Sequence, residues 1–328
     1  MIQTHAQAHS NIALIKYWGK RDTALKLPCN GSISLTLDRL STITAVSWHD
    51  QPGPDQLWLN GQPASESQRL KVQALLDLIR QRADFRACAR VESRNNFPTG
   101  AGLASSASGF AALALAATRA AGLELSRPEL SALARQGSGS ACRSIFGGFV
   151  EWQRGTAPDG HDSHAQALDE TPDWPLVMAV LVLNDQPKSL SSGDGMARTV
   201  ATSPLYDSWL RSVDVDLLDM RAAIRARDFS ALGSLMEHNA LKMHATALAA
   251  RPAVIYWQAA TLALISRIQA LRAEGLECYF TIDAGPNLKV LMREHDWPAF
   301  AAALAGTPEV LDILPCRPGP PAHVLESP

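Results

Sequence analysis

Four short stretches hold residue types that can do chemistry. The first, NFPTGAGLASSASGF at 96–110, is rich in Gly, Ala and Ser. Such residues let a backbone fold tightly so that several N–H groups point at one anion, and a helix opening directly after adds the positive end of its dipole. Ser105 and Ser106 add hydroxyls that can donate to a phosphate or reach a metal bound to it. The stretch therefore reads as a nucleotide-phosphate cradle, or as a tight strand-to-helix turn that binds nothing. It is not a Walker loop, since no Gly-Lys-Ser/Thr occurs. Gly100-Ala101-Gly102-Leu103-Ala104-Ser105 also ends in serine where a dinucleotide fingerprint needs glycine.

The second stretch, GSGSACRS at 137–144, delivers Arg143, whose forked donors suit a carboxylate or phosphate; the plainer reading is a surface arginine past a helix end. The third, NIALIKYWGKR at 11–21, interleaves Lys16, Lys20 and Arg21 with Tyr17 and Trp18. It lines an anionic pocket or, on pattern alone, forms an edge strand guarded by lysines. In the fourth, CYFTIDAGPN at 278–287, period two places Cys278, Phe280 and Ile282 on one face and Tyr279, Thr281 and Asp283 on the other. Asp283 then stands at a strand end before a turn, as a general base or metal ligand, or merely as a turn cap. His161 and His164 share a polar loop and His238 and His244 a helix, so no metal is assigned to histidine. No GxSxG or HExxH supports a hydrolase.

The elements that must position these residues come in two runs. Strands are expected at 33–37, 41–48 and 89–93, with an Asn60-Gly61 hairpin turn and a helix at 66–82 between them. A small-residue helix runs to about 121, and Ser126, Pro128 and Glu129 form a capping box ending near Gly137. The apolar run 176–183 is a buried strand, and the polar stretch 184–196 is the expected domain boundary, dividing the chain into 1–184 and 185–328. Helices follow at 216–227, 229–248 and 256–273, then a strand at 277–283 and a helix at 298–305. The proline-rich segment 315–321 is a strand edge or tail. Strand runs followed by helices in both halves give an α+β class.

The chain of 328 residues is 46% hydrophobic with a net charge of −2, which excludes a disordered or fibrous protein and any global pull toward nucleic acid or acidic membrane. An anionic ligand must be held by a local cluster of cations. Five scattered cysteines without a CxxC pair read as reduced thiols. The first twenty residues lack the pattern of a signal peptide, and 109–123 is too short to cross a bilayer and carries Arg119, so a cytoplasmic protein is expected.

Together the stretches resemble the diphosphomevalonate decarboxylase family of the galactokinase, homoserine kinase, mevalonate kinase and phosphomevalonate kinase (GHMP) superfamily. The blocks NIALIKYWGKRD (11–22), LPCNGSISLTL (27–37), NNFPTGAGLASSASGFAAL (95–113), GSGSACRSIFGGFVEW (137–152), GHDSHA (160–165), SSGDGMARTVATSPL (191–205), HNALKMHATAL (238–248) and FTIDAGPN (280–287) carry that resemblance in order. It implies a two-domain GHMP-kinase-like fold with the active site in the cleft between the halves. It further implies use of ATP and Mg2+ to convert mevalonate 5-diphosphate to isopentenyl diphosphate, CO2, ADP and phosphate through 3-hydroxyl phosphorylation, in a homodimer. The alternatives are a related small-molecule kinase that stops at phosphorylation, or a decarboxylase acting on the 5-monophosphate.

Carried over residue by residue, the resemblance makes Asp283 the catalytic aspartate, Lys16 the lysine between substrate and transferred phosphate, and Arg143 the arginine orienting the substrate carboxylate, fixed by Asn11. Tyr17, Lys20, Lys71, Ser138, Ser140 and Ser192 line the substrate. Pro98, Gly100, Ala101, Gly102, Leu103, Ala104, Ser105, Ser106 and Lys188 bind ATP, with Mg2+ held through the phosphates and a hydroxyl of Ser105 or Ser106. Gly31, Gly100 and Gly193 depart from the residues that relatives often carry there.

Overall fold

A computed structural model describes residues 3–50, 53–97, 104–184 and 190–326. Along the first half run β1 (Gln3–Ile15), β2 (Lys20–Asp22), β3 (Leu27–Pro28), β4 (Ser32–His49), β5 (Gln56–Leu59), β6 (Gln62–Pro63), α1 (Glu66–Ala83), β7 (Cys88–Asn95), α2 (Ser105–Ala120) and α3 (Arg127–Gly137). A 3-10 turn (Gly139–Ile145), β8 (Phe149–Trp152), β9 (Ala165–Asp169) and β10 (Leu176–Val182) complete it. The second half holds α4 (Ser192–Thr202), α5 (Tyr206–Ala226), α6 (Phe229–Leu248), α7 (Ala259–Ala273), β11 (Cys278–Ile282), β12 (Leu288–Arg293), α8 (Trp297–Leu304), β13 (Asp312–Cys316) and β14 (His323–Leu325). This is the expected α+β class.

One sheet is ordered β14-β1-β4-β7-β5-β6, with β8 and β9 continuing from the early part of β4; the other is ordered β11-β12-β10-β13. The burial of β1 changes along its length, alternating at first and then continuous from Ala8. From there α2 covers one face and α6 the other. The NIALI segment is thus an interior stretch rather than an edge strand, and Lys16 and Lys20 lie past its end. Register shifts against β4 fall at His9/Asn11 and Ala13/Ile15, bulges that re-aim the residues leading into Lys16. The two strands expected at 33–37 and 41–48 are one, β4, with Asp38 and Arg39 outward at its middle.

Small residues let α2 lie close on the sheet. Ala107, Ala111, Ala112, Ala114, Ala116 and Ala117 are buried, and Ser108 bonds Thr42 at 2.7 Å across the gap. Enlarging one of these alanines would overpack the layer, at about 1–3 kcal/mol. Position 137 must be glycine for a similar reason, since a Cβ there would sit 2.2 Å from the Phe110 ring. The Ser126–Glu129 capping box is present at the start of α3.

The strand 176–182 is buried throughout and pairs with β12 and β13. It therefore belongs to the second sheet, although the expected division after 184 placed it with the first half. The polar stretch beyond it already contains the start of α4, capped by Ser191, and α5 begins ten residues before the expected helix at 216. The strand β12 was not expected at all. Past β13, the proline-rich segment returns to the first sheet, where the Asp38 N–H donates to Arg317 O and the Gly319 N–H to Thr36 O. The α5–α6 pair fills the space between the sheets, packing on β1 and β11.

Candidate active site

The strand parity read for β11 holds: Cys278, Phe280 and Ile282 join the core beneath α7 and α8, while Tyr279 packs toward α5 and α6. Asp283 follows directly and receives a lysine on each oxygen. Lys16 Nζ lies 2.7 Å from Oδ1, and Lys289 Nζ lies 3.3 Å from Oδ2. Both lysine side chains are almost wholly buried, at 3% and 1% exposure, whereas Asp283 keeps 25%. Burial works to raise the Asp283 carboxyl, but the two ammoniums outweigh it and hold the group well below the usual carboxylate range. Burial lowers the Lys16 ammonium, and Asp283 pulls it part of the way back.

Lys16 is held by its backbone as well as its head. Its N–H donates to Asn239 Oδ1 at 2.8 Å, its carbonyl accepts from Asn30 Nδ2 at 2.7 Å, and Nζ donates to Ala13 O at 2.9 Å. Asn239 in turn donates to Asp216, which pairs with Lys242 at 2.6 Å. Beneath the site, the buried His244 ring meets the carbonyl of Ile282 at 3.2 Å. Burial, reinforced by Lys16, pushes His244 down to about 4, so at neutral pH it is an uncharged support.

Beside this group, Arg143 leaves the 3-10 turn and is buried. Its Nε donates to Asn11 Oδ1 at 3.0 Å and Nη1 to Ser32 Oγ at 2.6 Å, which uses two of five N–H donors. Asn11 is fixed in turn by donating to Ser144 Oγ at 2.8 Å and to Ser140 O at 3.1 Å. The Arg143 and Asp283 charges lie close enough to stabilise each other. Tyr17 packs edge-on to Trp152 at 4.7 Å, and its buried hydroxyl lacks a hydrogen-bond partner among the described residues. An orphaned donor at such depth fits a polar ligand.

A second set of cations lies closer to solvent. Burial lowers Lys20 first, and the exposed Lys71 nearby adds to this while Asp194 partly offsets it. Burial first, then Lys20 and Lys71, bring Lys26 down to about 8. Lys26 Nζ donates to the carbonyls of Gln136 and Gly137 at the negative end of α3. Nearby, Ser138 Oγ meets Ser106 Oγ at 3.2 Å. That pair joins the second small-residue stretch to the first turn of α2, whose N-cap is Ala104, in the left-handed region and with no side-chain oxygen to offer. Ser192 opens α4 beside Gly193, where an added Cβ would stand 3.8 Å from Lys20 Nζ.

The structure thus brings together Lys16 with Asp283, Asn11 with Arg143, and Lys20 with Lys71. Ser140 takes part through its carbonyl. Pro98, Gly100, Ala101, Gly102, Leu103 and Lys188 lie outside the described residues. Sequence reasoning missed Lys289, Lys26, Ser32, Asn30, Asn239 and His244. Asn30, Ser32, Asn239 and His244 fall inside blocks that carry the family resemblance, and Lys289 had a signal of its own, a lysine at an inward position of an otherwise apolar run, LKVLM.

Fold and site define a protein whose clustered cations, beside one buried carboxylate, suit a phosphorylated small molecule. The family model of the diphosphomevalonate decarboxylase-like N-terminal domain matches residues 8–165, and that of the mevalonate 5-diphosphate decarboxylase C-terminal domain matches 178–311. The diphosphomevalonate decarboxylase of Ganoderma lucidum is 42% identical over 316 residues, covering 89% of this chain and 79% of its own. A solved complex of MDDEF with MVAPP, AMPPCP and magnesium is 45% identical, with a TM-score of 0.92 over 99% of each chain. The mevalonate diphosphate decarboxylase of Staphylococcus aureus is 42% identical, with a TM-score of 0.93 over 99% of this chain and 98% of that one. This chain belongs to the diphosphomevalonate decarboxylase family.

Proposed function

We propose that this chain catalyses the ATP-dependent decarboxylation of mevalonate 5-diphosphate to isopentenyl diphosphate, CO2, ADP and phosphate. The observation that carries the reading is Asp283, held ionised between Lys16 and Lys289 with the Arg143–Asn11 pair beside it. ATP with Mg2+ supplies the phosphoryl group that turns a poor leaving group, the tertiary 3-hydroxyl, into a good one. Asp283 orients that hydroxyl and takes its proton, and Lys16 balances the negative charge gathered there. Arg143 holds the substrate carboxylate, whose bonding electrons form the alkene as CO2 leaves.

The donor set fits the polyanions. The first N–H groups of α2 and the hydroxyls of Ser105 and Ser106 suit the ATP phosphates and their Mg2+, because Ala104 cannot cap that helix with a side chain. Lys20, Lys26, Lys71, Ser138 and Ser192 suit the substrate diphosphate, with Tyr17 supplying its orphaned hydroxyl. A two-domain division before residue 176, a homodimer and a cytoplasmic location complete the reading, the last two carried by family resemblance.

Incubation with ATP, Mg2+ and mevalonate 5-diphosphate tests it, with CO2 expected in equal amount to ADP. ADP without CO2 would instead mark a kinase, and faster turnover of the 5-monophosphate would change the substrate.

A further inference from the structure

We infer that Lys289 is a positioning residue for Asp283, one that fixes the second carboxylate oxygen and so sets both the direction and the basicity of the group that meets the substrate hydroxyl. The inference rests on the function proposed above.

Lys289 stands on β12, a strand flanked by β11 and β10, opposite Thr281 on one side and Val180 on the other. Its side chain is 1% exposed, and Nζ reaches Asp283 Oδ2 at 3.3 Å and Asn287 O at 3.3 Å. Burying an ammonium on a central strand costs several kcal/mol, which its ion pair with Asp283 offsets. Packing between β11 and β10 alone would be served by an apolar residue. The carboxylate is what calls for a lysine here.

A carboxylate held at one oxygen can still rotate about its Cβ–Cγ bond, whereas one held at both cannot. Lys16 approaches from the end of β1 and Lys289 from β12, so the two grips come from different sheets. Oδ2 carries the longer contact and retains more capacity to accept a further hydrogen bond. Among the described residues, the other charged or titratable groups facing this site are Arg143 from the 3-10 turn and His244 from α6; His244 stays neutral above about 4.

The test is the pH dependence of kcat and kcat/KM in K289M, K289R and K289Q, with CO2 and ADP both measured. For K289M, kcat falls roughly ten- to a hundredfold while the KM for ATP stays within twofold. Its acidic limb moves up by about one pH unit or more, since one of two opposing charges has been removed. K289R keeps the charge, leaves the limb in place and recovers part of kcat. A folded K289M with near-normal kcat and an unmoved limb would overturn the inference. So would equal loss in K289M and K289R accompanied by a collapse of the thermal midpoint, which would make the residue merely structural. If K289M does not fold, K289Q reads the same limb with a neutral donor in place. Absence of CO2 from the wild-type enzyme would refute the proposed function instead.

Discussion

The site contains two groups of lysines in opposite electrostatic states. Lys16 and Lys289 are buried, and each already holds an oxygen of Asp283. Lys20, Lys26 and Lys71 are more open to solvent and lie near one another, with Asp194 opposing Lys20 and Lys26 seated on the carbonyls that end α3. The first group is closed and fixes a reactive carboxylate. The second is open and only partly compensated by Asp194 and the end of α3, so an arriving anion relieves its remaining repulsion. Positioning and charge capture, which phosphoryl transfer needs together, are thus assigned to separate lysines.

The largest effect should come from the closed group. D283N is expected to lower kcat by roughly a thousandfold while ATP affinity, measured by calorimetry, is retained. A variant that turned over at a near-normal rate would remove the distinction between the groups. R143Q should raise the substrate KM and lower kcat. Because the guanidinium is buried against Asn11 and Ser32, it should also cost about 1–3 kcal/mol of stability in urea unfolding. From sequence alone little stability loss would be expected, and the two buried acceptors are the reason for the change.

The open group should respond differently. K20M, K26M and K71M are each expected to raise the substrate KM by about tenfold or less, with kcat largely kept and the penalty shrinking in high salt. A fall in kcat without a change in KM would place these lysines in the chemical step instead. Lys26 adds a pH signature. Its ammonium loses its proton above about 8, so substrate affinity should fall as pH rises through that value. Binding near pH 8 should also take up a proton, visible as a buffer-dependent enthalpy, and K26M should show neither effect.

The smallest effect concerns the support beneath Asp283. His244 is held at about 4 in the folded chain, against 6.5 for an ordinary histidine. Between those values the unfolded chain binds a proton that the native state refuses, so stability falls as pH drops through the window, by roughly 3 kcal/mol at most. H244N should flatten that part of the profile. His9, also near 4, leaves a residual slope. An unchanged slope in H244N would show that the ring titrates freely.

Much of this was legible in the chain because it is local. The capping box at Ser126 and the parity that sets Asp283 opposite Cys278, Phe280 and Ile282 both follow from neighbours a few residues apart. The rest depends on distance along the chain. No local pattern tells that Asn239 receives the N–H of Lys16, 223 positions away, or that Ser32 receives Arg143. Lys289 was hidden differently, since a lysine inside an apolar run weakens the very periodicity by which a strand is read. The NIALI segment misled in the opposite sense. Lysines near a strand suggest a guarded edge, but Lys16 follows the strand and faces inward, and Lys20 lies further on, in β2.

The Lys16–Asp283 contact also joins the two sheets, since one partner follows β1 and the other β11. Chemistry and adhesion therefore share a rivet. An inhibitor that draws the Lys16 ammonium toward itself gives back some of the cohesion it gains, and a screen ranking compounds by melting temperature would score it below its true affinity.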